Sequence, residues 1–534
     1  MKISSQHTKV LIIGAGPSGL MMAAQLLRYG IEPVIIDNKL GPTDQSKALA
    51  VQARTLEIYR QMGLVDQVLK EGRPTTGLQF FNGDKLTGTF PVADTGKGET
   101  PYPYVFMYPQ NKNERVLLGE LTKSAIPVYW NTTLKQLTQN RTSVEATLVS
   151  DDTEAIITAD WVIGADGAGS TVRKQLGIHF TGDTYAHLFY LADITTNHDD
   201  DYIKLHLTGD GFAGFFPTAE KNGYRLIGNL PPQFEHKENI TIKDIIPFTE
   251  KITQVPVVIT KCNWFTTYKL HHWMADKFRS GRCFLIGDAA HIHSPVGGQG
   301  MNTGLQDAYN LAWKLAGVIN GKIQEGILNT YADERMPIAR QLLQTTDRAF
   351  NIIMSQSFGA QLIKKFALPK ILRFMWRNDA VKQGFFKRVS QIDISYRHSP
   401  INLHLSHAHK VKAGDRLPYL KLYDEKKQIE TDLHAWCSKP GFTMIILGRL
   451  AEFDLLAFAR WITHFYGAGL NFFYLPPSDR NQHVFDAFEI KTEHVKTLVI
   501  RPDNYIGFMS DTTDIDIINN YMQNTTGLIR LKSS

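Results

Sequence analysis

Cysteine is scarce in this chain: Cys262, Cys283 and Cys437 are the only three in 534 residues, far apart and in no metal-ligand spacing. That excludes a disulfide framework and a zinc site and predicts reduced thiols. Long apolar runs are missing too. The run at 10–13, after a polar stretch at 1–9, is too short for a signal-peptide core or a membrane span. A cytoplasmic protein without a membrane span is expected. Neither sign of charge dominates, with 58 Lys and Arg against 52 Asp and Glu and a net charge of +6. The basic residues form no tail or arginine block, so no nucleic-acid partner is expected.

What is present is globular in character. Hydrophobic residues make up 43% and charged residues 21%, and at roughly 150 residues per domain the length predicts about three folding units. Residues 9–13 read as a buried strand, and Leu20, Ala23, Ala24 and Leu27 follow at helical spacing. Between them lies the turn Gly14-Ala15-Gly16-Pro17-Ser18-Gly19. A second strand, 33–36, ends in Asp37, completing one βαβ unit. Gly14 makes the tight turn, Gly16 lets backbone amides approach a pyrophosphate, and Gly19 lets helix and strand pack closely. The helix N-terminus, entered through Pro17 and Ser18, then faces the phosphates, and Asp37 can accept the ribose hydroxyls. This predicts a dinucleotide site without separating FAD from NAD.

Two further Gly-rich turns follow strand patterns. One is 164–173, carrying Asp166 and Gly167, for which a plain strand-to-turn segment is an even alternative. The other starts at Gly287 and Asp288 and continues through His291, Pro295, Gly298, Gly300, Met301 and Asn302 into a long amphipathic helix. Here a carboxylate can hold a chain hydroxyl while amides and the positive helix end face a flat ring. Such an end would stabilise charge developing on a flavin during reduction. His291 has no acid or nucleophile beside it in sequence and reads as a packed core histidine. The segments 77–160 and 180–269 read mostly as short antiparallel strands. The second is rich in aromatic residues and could wall a pocket. Residues 352–376 read as a basic amphipathic helix packed on the protein, 398–414 as a linker, and the remainder as a separate α/β unit.

In this order and spacing the three motifs resemble the class A flavoprotein aromatic hydroxylases, the group containing p-hydroxybenzoate hydroxylase and phenol hydroxylase. The resemblance implies that Gly14, Gly16, Pro17, Ser18, Gly19 and Asp37 hold the ADP part of FAD. It places Asp166 and Gly167 near FAD and a transient NADPH or NADH, and Gly287 and Asp288 on the ribityl chain. It adds Lys47, where the family usually carries Arg, and Gln110, reaching FAD from the other side. The loop from Pro295 through Gly298, Gly300, Met301 and Asn302 would close over the flavin. The implied fold is α/β: a Rossmann-like FAD-binding domain split over 1–180 and 278–400, an inserted antiparallel-sheet substrate domain at 181–277, and a thioredoxin-like domain at 410–534. That last domain lacks a C-x-x-C pair, so thiol–disulfide catalysis is not expected there.

The implied reaction is hydroxylation of a small aromatic, phenolic substrate. A reduced nicotinamide cofactor and O₂ would supply it through a flavin C4a-hydroperoxide in a water-excluding site. No second G-x-G-x-x-G unit is present, consistent with transient nicotinamide docking. Tyr190, Arg225, Tyr268 and His272 lie in the substrate segment, where an ordinary sheet-face position is an at least equal reading for each, and Phe215, Phe216 and Pro217 read equally as pocket wall or as core packing. Of these, Tyr268 and Arg225, with Pro295, are the catalytic candidates. The family habit implies a homodimer. The alternatives are oxygenation of a large polyketide or antibiotic by the same motifs, and an FAD-binding redox partner that no longer oxygenates.

Overall fold

The computed structural model describes residues 3–234, 237–293, 298–354, 374, 377–491 and 493–531. The β-branched run at 10–13 lies at the middle of a parallel array because both its faces are covered. Strand Gln6–Ile13 pairs in parallel with Thr153–Gly164 on one side and Val34–Ile36 on the other. Cys283–Leu285 and Val128–Tyr129 extend the array outward. Helices Pro17–Arg28 and Gly300–Ile319 pack against each other. The three Gly-rich turns therefore emerge side by side from the carboxyl ends of neighbouring strands, where ligands bind in open α/β sheets.

The second sheet has eight strands and is mainly antiparallel. Its centre comes from the expected segment, Phe180–Thr195, Tyr202–Thr208, Gly211–Pro217, Gly223–Asn229 and Lys261–Ala275. It does not stop there. The hairpin Gly77–Asn82 and Lys85–Pro91 joins it through a parallel pairing with Tyr202–Thr208. Helix Ile242–Thr253 covers the far face, where Tyr190 donates to or accepts from Thr249 at 2.8 Å. Strand alternation fixes this division: Tyr190 and Phe215 pack toward that helix side.

The third sheet runs Leu403–Leu405, Ile506–Ser510, Val495–Ile500, Phe442–Gly448, Leu470–Leu475. Part of the segment expected as linker is thus a paired strand: Leu403–Leu405 lies parallel to Ile506–Ser510. Its shortness hid it from pattern reading. Of the helix expected at 352–376, most lies outside the described residues. The chain is α/β with mixed sheets.

Buried charges join this third unit to the rest. Arg501 donates to both oxygens of Glu334 at 2.6 and 2.9 Å and to Asp503 at 2.6 Å. Lys314 adds a bond to Glu334 at 2.7 Å, and Trp313 one to Asp503 at 3.1 Å. Arg54 reaches the Asp503 carbonyl at 2.7 Å. Every ionised group here is matched by an opposite charge, the condition under which buried charge is tolerated.

Candidate functional site

All three turns open on one cavity of about 1270 Å³. At one end Gly14, with φ +107°, turns the chain so tightly that a Cβ would lie 2.3 Å from the Ala165 carbonyl oxygen, and one on Gly19 would lie 1.9 Å from that of Gly14. Gly16 differs: nothing in the protein lies within 4 Å of where its Cβ would be. Its bareness is not needed for packing, and it lines the cavity with Pro17, the first residue of the helix, and Ser18. The Ser18 hydroxyl fills the space left by the missing Cβ atoms of Gly287 and Gly304.

Asp37 is buried, and its carboxylate accepts from the Ala15 amide at 2.6 Å and the Lys39 amide at 2.8 Å. Each oxygen keeps a lone pair for a ligand hydroxyl. Gln110 lines the opposite wall, its side-chain amide donating to the fully buried Glu114 at 3.0 Å. Lys47 also lines the cavity and is exposed within it.

The Asp166 carboxylate is turned inward. It accepts from Ser170 at 2.5 Å and from the Thr171 amide at 2.7 Å, which fastens the start of the next helix. Burial raises its pKa against those bonds. What Asp166 and Gly167 offer the cavity is therefore mainly backbone. Arg173 bridges this turn to the next, donating to the Ala168 carbonyl at 2.7 Å and the Ala289 carbonyl at 2.8 Å. Asp288 is exposed, but to the cavity interior. That confinement raises its pKa, opposed by the charges of His291 and Lys47.

Gly298, Gly300 and Met301 line the cavity where helix Gly300–Ile319 begins, with no acidic residue in its first turn. Asn302 stands behind them. Its side chain accepts from the Gln52 amide at 2.9 Å and donates to the Ala50 carbonyl at 3.0 Å and the Gly298 carbonyl at 2.9 Å, so it ties the walls together. Pro295 falls outside the described residues.

His291 does have an acid partner. Its Nε2 lies 2.7 Å from Asp307 Oδ2, an oxygen that also accepts the Gly287 amide at 3.1 Å, while Asp307 Oδ1 takes Arg335 at 2.7 Å. The partner stands 16 residues away on the following helix, where sequence adjacency could not show it.

The near face of the second sheet forms the other half of the cavity. It is apolar, with Phe80, Leu205, Phe212, Phe216 and Ile227 among its lining. Arg225 is the charged side chain set into this face. It is 1% exposed and forks onto Asp193 with two bonds of 2.8 Å. A third donor reaches the Lys47 carbonyl at 3.3 Å. Sequence reading missed Asp193; its register opposite Arg225 reveals it. Tyr268 lies directly across from the cavity-lining Phe189 on the neighbouring strand and on the same face, its ring 6.1 Å away. Burial pushes its phenol up to about 12, so it keeps its proton at neutral pH. His272 lies farther along the same strand, 3.7 Å from Asp183.

A glycine cradle, an acid at the next strand end, a helix N-terminus and an apolar sheet share one cavity, which suits a dinucleotide cofactor set against an apolar ligand. Residues 7–346 match the FAD binding domain family, and the chain belongs to it, within the class A FAD-dependent aromatic hydroxylases. It is 34% identical to 6-methylpretetramide 4-monooxygenase of Streptomyces rimosus over 74% of this chain and 71% of that one. It is 32% identical to pentachlorophenol 4-monooxygenase of Sphingobium chlorophenolicum over 78% and 77%. The anhydrotetracycline hydroxylase structure from Streptomyces rimosus superposes with a TM-score of 0.78 at 25% identity, covering 98% of this chain and all of that one. The protein is an FAD-dependent monooxygenase that consumes a reduced nicotinamide cofactor and O₂ and acts on an aromatic compound. Among the described residues no helix is long and apolar enough to cross a membrane.

Proposed function

We propose that the substrate is an extended, fused-ring aromatic compound with an oxygen function held by Arg225. The observation that carries this is the width of the apolar wall. Lining residues come from all eight strands of the second sheet, and the stretch from Leu78 and Phe80 across to Phe189 and Leu270 alone spans six adjacent ones. At the usual strand spacing that stretch is about 24 Å across, far wider than one six-membered ring. The cavity must also take FAD, whose ADP part fits the Gly14 to Ser18 turn and Asp37. Its ring system fits the start of helix Gly300–Ile319, between Lys47 and the sheet.

Bound there, FAD supplies hydride acceptance from the nicotinamide and activation of O₂. The net reaction converts the aromatic C–H, O₂, NAD(P)H and a proton into the phenol, NAD(P)⁺ and water. The protein's part is placement and dryness. The helix N-terminus favours negative charge on the ring it faces. Arg225 is fixed by Asp193 and keeps N–H groups beyond those already bonded, so it can orient a phenolic oxygen and favour its ionised, more nucleophilic form. Tyr268, protonated and beside Phe189 on the same face, supports the wall and acts at most as a donor.

We read the C-terminal unit as thioredoxin-like. Its parallel pair Phe442–Gly448 and Leu470–Leu475 is joined through helix Glu452–Phe465, and the hairpin Val495–Ile500 and Ile506–Ser510 follows, which supports that reading. Cys437 is buried without a second cysteine nearby in sequence, and burial pushes its thiol up to about 12.

The test is oxygen-dependent NADPH and NADH oxidation over one-ring, two-ring and four-ring phenols, with H₂O₂ and product mass measured. Four-ring compounds should give the fastest coupled turnover, with product one oxygen heavier. Better coupled turnover of one-ring phenols would refute the size assignment.

A further inference from the structure

Helix Asp379–Val389 carries Phe385, Arg388 and Val389 into the cavity lining, facing the space beside the flavin helix Gly300–Ile319. Its end has an unusual composition. The Ile392 amide donates to the Lys387 carbonyl at 3.1 Å and the Gln391 amide to the Arg388 carbonyl at 3.3 Å, the paired bonds of a Schellman ending. Such endings place a left-handed residue after the cap, and glycine is the usual occupant because it has no Cβ to strain. Here the left-handed residue is Gln391, with φ +59°.

The side chain explains the choice. Gln391 is 3% exposed, and both ends of its amide are used. The nitrogen donates to Thr303 Oγ1 at 3.0 Å, and the oxygen accepts from Gln306 Nε2 at 2.7 Å. Both partners lie on the flavin helix. A second glutamine works in the reverse direction: Gln299, just before that helix, donates to the Arg388 carbonyl at 3.0 Å. Two side-chain amides thus cross between the helices, each sent from the end of one to the body or end of the other.

We propose that Gln391 is a positioning residue that, with Gln299, brackets the cavity-lining helix Asp379–Val389 against the flavin helix and so keeps water from the flavin ring. The inference rests on the placement of that ring given above. It concerns a residue that touches neither cofactor nor substrate, and it gives the left-handed glutamine a purpose that a glycine could not serve.

The test uses the FAD-loaded enzyme and needs no substrate, so it is separate from the ring-size panel. Gln391→Gly removes the bracket while easing the backbone, and Gln391→Asn keeps an amide that tolerates the left-handed region but is too short to span. Amide hydrogen exchange in 379–389 should rise by at least about tenfold in both variants, with other segments unchanged. The melting temperature should stay within about 2 °C. The resolved shoulder of the bound flavin's long-wavelength absorption band, sharp in a dry site, should blur. Unchanged exchange would overturn the bracket. Raised exchange with an unchanged flavin band would overturn its role in drying the ring. Should Gln391→Gly fail to fold, Gln299→Met, which breaks the other crossing, is read by the same criteria.

Discussion

His291 and Asp307 meet at 2.7 Å in a place where their side chains are 2% and 0% exposed. The same carboxylate receives Arg335 and the Gly287 amide, so one acid aligns the turn that carries Asp288. Its two cationic or potentially cationic neighbours hold its pKa below the usual carboxylate range despite burial. Replacing Asp307 by Asn leaves Arg335 buried without its counter-charge, and breaking such pairs costs about 3–5 kcal/mol. Asp307→Asn should therefore lower the melting temperature by several degrees and weaken FAD retention, as read by thermal unfolding and by flavin released on gel filtration.

Gly16 and Gly19 should respond in opposite ways. An added methyl on Gly16 meets no protein atom, whereas one on Gly19 meets the Gly14 carbonyl oxygen at 1.9 Å. Gly16→Ala should leave the melting temperature of the FAD-free protein unchanged while raising the Kd for FAD about tenfold or more, a cost of about 1.4 kcal/mol. Gly19→Ala should lose folded protein outright. FAD titration of both variants decides the matter; a Gly16→Ala protein with unaltered affinity would move the pyrophosphate elsewhere.

Arg225 is bound to Asp193 by a planar fork that lysine cannot reproduce. Arg225→Lys should lower kcat/KM about 10- to 100-fold, matching the loss of one charge-assisted hydrogen bond of about 1.5–3 kcal/mol. The FAD content should be unchanged. Steady-state kinetics on the preferred ring compound, with flavin absorbance per chain, would show this; equal kcat/KM would remove Arg225 from substrate handling.

His434 makes stability pH-dependent. It is buried, its Nε2 lies 2.8 Å from the Leu417 carbonyl, and burial lowers its pKa, with Glu57 opposing and Arg416 reinforcing. The unfolded chain, where histidine titrates near 6.5, then binds the proton more readily than the folded one. Stability conferred by this group is complete above that pH and declines as pH falls toward the depressed folded value. Denaturant unfolding between pH 7 and pH 5 should show the decline, and His434→Gln should flatten it. An equal slope in the variant would assign the pH dependence to other groups.

What could be read from sequence was local. The Gly14 to Gly19 turn, Asp37 and the Gly287-Asp288 pair declare themselves because strand, turn and helix follow one another within a few residues. Arg225 was visible as a residue type, but Asp193 became its partner only through cross-strand register. Asp307 was hidden from His291 because it stands 16 residues farther along the chain. The hairpin 77–91 shows the same limit: its alternation was legible, yet its pairing with Tyr202–Thr208 spans more than a hundred residues of chain. Gln391 gave no signal at all, since glutamine is an unexpected residue at a left-handed helix end.

The salt-linked junction around Arg501 bears on how this chain can be inherited. Its acids and bases come from both sides of the boundary: Glu334 and Lys314 from one, Arg501 and Asp503 from the other. A tail transplanted from a relative would bring its own charges into a pocket shaped for these, stranding at least one ion away from water. Recombination that splits the set is therefore penalised, and drift at one member invites compensation at another. The charge set makes the C-terminal unit a fitted part of this chain, not a detachable cassette.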